Sequence, residues 1–181
     1  MTTAMSRIPL VPQNLAEPKA VVDAIRLRRG GELSNLDRVL LNSPVLAEGW
    51  NSFLGVVRQK LSLDPKVREI VMCGVAVLNH AEYEFFHHAR EYRKAGGTQD
   101  EVDAMHDLEA AGRNEKLFSD KERLAFQMTV AVTRDVEVPE ALFEQARRLF
   151  TAQELVDLLA TIGAYNMVSR IVVACQIRPE H

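Results

Sequence analysis

Three of the chain's five histidines fall within the ten residues Asn79-His80-Ala81-Glu82-Tyr83-Glu84-Phe85-Phe86-His87-His88, beside two carboxylates. If this stretch is helical, Ala81, Glu84 and His88 lie at i, i+3 and i+7 on one face with His80 beside them, and Tyr83 and His87 form the adjacent stripe. A carboxylate one turn from an imidazole can fix its tautomer and favour its protonated form, which suits histidine to moving protons near neutral pH. The bland alternative is a solvated Glu–His pair contributing a few tenths of a kcal/mol. A metal held by His80, Glu84 and His88 is a third option, but two histidines eight apart are a loose signal beside a compact H-E-x-x-H pattern. Glu69 is the other residue to watch. It opens the apolar run Ile70 to Leu78, so it is either a surface carboxylate near a helix N-terminus or a buried one that must find a partner.

The elements that must position these groups are helices. Thr98 with Glu101, Ser119 with Glu122 and Thr151 with Glu154 have capping-box spacing, and Asn79 with Glu82 resembles it. Asp64-Pro65 and Ser43-Pro44 mark two further starts, because proline lacks an N–H that the first turn would leave unpaired anyway. Leu155, Leu158, Leu159 and Ile162 repeat at helical spacing, whereas strand alternation is scarce. Ile70 to Leu78 is uniformly apolar and by periodicity fits a buried strand or a buried helix; Pro65 in front of it, and no second long apolar run to pair with it, favour a helix buried on all sides. Gly30-Gly31 and Gly96-Gly97 end helices, and prolines 9, 12 and 18 make Ile8 to Pro18 an extended arm within a partly extended segment 1–30. The expectation is one all-α domain over residues 1–181.

Composition narrows the function. In 181 residues, 47% are apolar and 26% charged, as in a packed globular chain, and a formal charge of −3 offers no basic field for nucleic acid. The nine-residue apolar run is far below the roughly 20 residues a membrane span needs. No secretory signal is visible in Met1 to Leu15, and Cys73 and Cys175 are spaced neither as a redox pair nor as a zinc knuckle, so a cytoplasmic protein without membrane or nucleic-acid partners is expected. Both thiols read as inert and buried, Trp50, Phe85 and Phe86 as packing residues, and His106 and His181 as surface groups.

Taken together, Arg68-Glu69 before the apolar run, then Ala81-Glu82-Tyr83-Glu84, His88-Ala89 and Ala95-Gly96, resemble the central helical hairpin of the carboxymuconolactone decarboxylase family, which includes the alkylhydroperoxidase D-like proteins. Leu41-Asn42-Ser43-Pro44, Gly49-Trp50-Asn51 and Leu155 to Arg170, with Tyr165-Asn166-Met167-Val168, extend the likeness along nearly the whole chain. The peroxidase branch carries a Cys-x-x-Cys pair on this hairpin, with an upstream Glu and a downstream His. The matching positions here are Ala81 and Glu84 for the cysteines, Glu69 and His88 for the other two. The resemblance therefore implies the branch without that pair: a decarboxylase of a carboxylated lactone or related small organic acid, using neither metal nor organic cofactor. It implies His88 as proton donor, Glu84 as the group that orients and charges it, Glu69 as a second acid–base residue, and Tyr83 and His80 as substrate contacts. The alternatives are an alkylhydroperoxidase D-like antioxidant and a non-catalytic binding protein of the same fold. The resemblance also implies a homo-oligomer, a trimer or hexamer, to which the apolar helices and the Arg7 to Pro18 arm would contribute contacts.

Overall fold

A computed structural model describes residues 6–180; His181, expected at the surface, lies outside the described residues. Those residues form ten helices and no strand, so the all-α expectation holds. They divide into two compact units, residues 6–60 with 171–180, and residues 61–170.

The first unit holds α1 (Lys19–Arg29), α2 (Asn35–Leu40) and α3 (Pro44–Gln59). Helix α1 ends where predicted, at Gly30, whose φ of 84° is the left-handed cap that glycine adopts without steric cost. Helix α2 carries a capping box that the sequence reading missed, Ser34 with Asp37, in which aspartate replaces the usual glutamate. Asp37 is also gripped by Arg29 at 2.8 Å. The extended arm docks on its own chain. Gln13 brackets Leu33 by giving its amide to the carbonyl (2.9 Å) and taking the N–H (3.1 Å), Arg38 Nε donates to Val11 O (2.7 Å), and Asn42 donates to Pro9 O (2.8 Å).

The second unit contains α4 (Pro65–Leu78), α5 (Glu82–Lys94), α6 (Gln99–Ala104), α7 (Leu108–Ala111), α8 (Asp120–Arg134), α9 (Glu140–Leu149) and the start of α10 (Ala152–Ala174), whose residues to Arg170 belong here. The apolar run is a helix, and from Glu69 to Ala76 every α4 residue is buried. Asp64 caps it by accepting from the N–H groups of Lys66 (2.9 Å) and Val67 (3.3 Å). Gly74 permits the close packing, because a Cβ there would stand 2.8 Å from Leu108 of α7 and 3.2 Å from Thr129 of α8. The Thr98, Ser119 and Thr151 boxes all form.

The Asn79–Glu82 box does not form. Asn79 is instead the C-cap of α4, and α5 starts after Ala81, which has no capping side chain. Between them His80 takes a φ of 55°, a left-handed turn that folds α5 back along α4. Helix α10 is long and apolar enough to cross a membrane, which exceeds the nine-residue run visible in the sequence, but half of its most apolar stretch is buried inside the protein. It also carries Asp157, which binds the Ser62 N–H and hydroxyl at 2.7 Å each, as a core helix would.

Candidate active site

The site is built where α4, α5 and α10 meet in the second unit. Glu69 lies one turn into α4 and is 5% exposed, so the buried reading of this residue holds and it has the partner that burial demands. Its Oε2 lies 2.7 Å from Nδ1 of His88 on α5, and its Oε1 takes the Nε–H of Arg68 at 3.3 Å. The other imidazole nitrogen, Nε2, lies 2.9 Å from the Tyr165 hydroxyl on α10, with the two rings edge to face. Glu69, His88 and Tyr165 thus form a chain of three titratable groups, largely buried: the side chains of His88 and Glu69 are 13% and 7% exposed, and Tyr165 is fully buried.

One turn before His88, Glu84 is 2% exposed and its Oε2 receives the Ser169 hydroxyl at 2.5 Å. The Ser169 hydroxyl also lies 2.9 Å from the backbone carbonyl of Tyr165, one turn back on α10. Glu84 and His88 are four apart on α5, and Ser169 and Tyr165 are four apart in the opposite sense on α10, so the two helices share two polar rungs. A third contact joins Asn79 to Asn166 at 3.0 Å, and Asn166 in turn donates to Thr133 on α8 at 2.9 Å.

The electrostatics follow from this packing. Burial tends to raise the Glu69 carboxyl, but the hydrogen bond and charge of His88, with Arg68, outweigh it and hold Glu69 below the usual carboxylate range. Cys73 sits one turn beyond Glu69 on the same helix. Burial first, then the Glu69 and Glu84 carboxylates, pushes its thiol well above its ordinary value. Both effects favour the thiol over the thiolate, the form that is the weaker nucleophile and the less readily oxidised.

Of the residues singled out in the sequence, the fold brings Glu69, Glu84 and His88 into one buried cluster. The carboxylate on Nδ1 of His88 is that of Glu69 from the neighbouring helix, the orienting position expected for Glu84. Tyr83 is buried and lies 4.6 Å from the His87 ring, centroid to centroid, while His80 is exposed in its turn. Among the described residues no three His, Cys, Asp or Glu side chains converge as metal ligands, and both ring nitrogens of His88 are already engaged. Tyr165 and Ser169 were missed as site residues. Their signal was present as polar groups one turn apart on an apolar helix, a pattern without meaning until its partner helix is known.

Comparison with known proteins agrees with this architecture. The carboxymuconolactone decarboxylase family pattern matches residues 44–117, which include Glu69, Glu84 and His88. The uncharacterized protein YnjA of Escherichia coli (strain K12) is 30% identical over 168 residues, covering 92% of this chain and 86% of that protein. Two solved structures share the fold: an uncharacterized peroxidase-related protein from Silicibacter sp. TM1040 (TM-score 0.83, 17% identity, 99% of this chain and 95% of that one) and an alkylhydroperoxidase AhpD core, an uncharacterized peroxidase-related protein from Ralstonia eutropha JMP134 (0.82, 20%, 98% and 93%). A buried hairpin bearing a Glu–His pair, in a chain similar over nearly its whole length to these proteins, belongs to the carboxymuconolactone decarboxylase family.

Proposed function

We propose that the protein is a cofactor-free acid–base enzyme that decarboxylates a small carboxylated lactone or a related unsaturated organic acid. The observation that carries the reading is the 2.7 Å contact between Glu69 and Nδ1 of His88 inside a largely buried cluster. An anionic carboxylate on one ring nitrogen holds the imidazole in place and supports a positive charge on it, which prepares the ring to give up a proton.

In the proposed reaction the bond between the ring carbon and the carboxylate breaks and CO₂ leaves. The electron pair moves through the adjacent double bond onto the lactone carbonyl, giving a dienolate. With substrate bound, the Nε2–H of the His88 imidazolium turns from Tyr165 to that oxyanion and its proton then passes to carbon, while Nδ1–H stays on Glu69; solvent afterwards reprotonates the ring. Arg68, bound through Nε to Glu69, brings a cation to the cluster and is our candidate for neutralising a substrate carboxylate. Glu84 and Ser169 hold the second rung and so fix the α5–α10 spacing around His88. Thiol peroxidase chemistry fits less well, since the cysteine positions of that branch hold Ala81 and Glu84 and burial suppresses the Cys73 thiolate.

The test is the ultraviolet absorbance of a panel of carboxylated lactones with the wild-type protein and with His88→Ala. Turnover that falls about 100-fold or more in the variant supports the reading. Equal rates in the two proteins discard His88 as the acid. Peroxide consumption that disappears in a Cys73→Ser, Cys175→Ser double variant would favour the antioxidant alternative instead.

A further inference from the structure

A histidine that donates a proton to substrate must first carry that proton in a place where water scarcely reaches. Glu69 accounts for one of the two N–H groups of an imidazolium. The other, on Nε2, would be a buried charged donor, and leaving such a group without an acceptor is among the costlier errors a fold can contain. The Tyr165 hydroxyl lies within hydrogen-bond distance of Nε2, at 2.9 Å. A phenol oxygen both donates and accepts, so it can meet either state of the ring. It gives its O–H to the bare Nε2 of the neutral form and accepts the Nε2–H of the charged one.

We infer that Tyr165 is a positioning residue for acid chemistry at His88: its oxygen receives the Nε2 proton while Glu69 receives that of Nδ1, so the ring holds an acid proton although largely buried. This rests on His88 being the acid proposed above. The bond to a charged donor is the stronger of the two that Tyr165 can make, so the phenol favours the imidazolium over the neutral ring. Tyr165 suits the task because it is fully buried on a long helix, so packing holds its phenol oxygen at a fixed distance instead of letting it wander with a loop. Of the described groups, Glu69 on α4 and Tyr165 on α10 touch the ring, Arg68 is bound to Glu69, and Glu84 precedes His88 by one turn on its own helix. Removing the Tyr165 oxygen leaves all the others in place.

The test is Tyr165→Phe, which keeps the ring and loses one oxygen. Nitrogen-15 shifts of His88, followed against pH, give its protonation midpoint without any substrate. The midpoint is expected to fall by at least about half a pH unit in the variant; an unchanged or higher midpoint overturns the inference. In wild-type protein below that midpoint, the Nε2 proton should be protected from exchange and show nuclear Overhauser contacts to the Tyr165 ring. This second measurement holds even if the variant folds poorly, and a proton that exchanges freely without such contacts also overturns the inference. On an active lactone, Tyr165→Phe is expected to lower kcat about tenfold with KM unchanged, and to move the alkaline limb of the profile to lower pH. Turnover that ignores His88→Ala defeats the proposed reaction, whereas the nitrogen shifts still judge Tyr165, so the two failures can be told apart.

Discussion

Helix α4 carries two ionic clusters one turn apart, and they are built for opposite purposes. At Lys66 an ammonium, 26% exposed, lies 3.2 Å from Glu101 and 3.1 Å from Glu122. Both carboxylates are already capping-box residues, of α6 and α8, so Lys66 ties two helix N-termini to the start of α4. At Glu69 the same helix meets an imidazole and a phenol, the Glu69–His88–Tyr165 chain. The lysine cluster combines groups that keep their charges throughout the neutral range, whereas the histidine cluster contains the one side chain that ordinarily titrates there. Partner type, more than burial, separates a structural knot from a site that can exchange protons.

Three substitutions and a pH series would break or sharpen that contrast. The largest effect is expected from Glu69→Gln, which removes the charge that supports the imidazolium: turnover of a substrate lactone should drop about 10²- to 10⁴-fold while far-ultraviolet dichroism stays that of the wild type. Lys66→Met should do the reverse. With Glu101 and Glu122 left without their cation, chemical denaturation should show a loss of about 2 kcal/mol, less than for a fully buried pair because Lys66 is partly exposed, with activity below the unfolding transition within about twofold.

The pH series turns on the sign of each shift. Burial works to raise the carboxyls of Glu69 and Glu101, yet their hydrogen bonds and cations leave both depressed in the folded protein. Their stabilisation is therefore in place above the unfolded carboxylate value and lost as pH falls through the folded one. For Lys66 burial opposes the charge, but Glu122 and Glu101 prevail and raise it above 10.5, so its share holds below that value and fades as pH rises through the folded one. The lysine knot should thus contribute a flat plateau to stability across neutral pH, and Glu69→Gln should make the acid-side decline shallower than in wild type, read from denaturation midpoints. The smallest effect is expected from Cys73→Ala. With its thiol pushed up and fully buried, Cys73 should resist alkylation in the folded protein, and its replacement should change turnover by no more than about twofold.

Much of this architecture was legible before any coordinates. The Thr98, Ser119 and Thr151 boxes and the Asp64-Pro65 start are local devices whose partners lie two or three residues away, so backbone geometry alone decides them. Asn79–Glu82 has nearly the same local signature and failed. The Asn79 amide is drawn to Asn166, 87 positions along the chain, and the His80 turn takes the residues that a cap would have used.

The candidate site divides along the same line. The sequence by itself determined that the protein is helical, that Glu69 opens a buried helix, and that Glu84 and His88 share one face of the next, because a 3.6-residue period ties spacing to direction. Only the tertiary structure decided that Glu69 takes the Nδ1 side of His88, and that Tyr165 and Ser169 close the cluster from α10. Those pairings join residues 19, 77 and 85 positions apart, and which faces of separate helices meet is set by how their side chains pack, a property that no repeat within a single helix encodes.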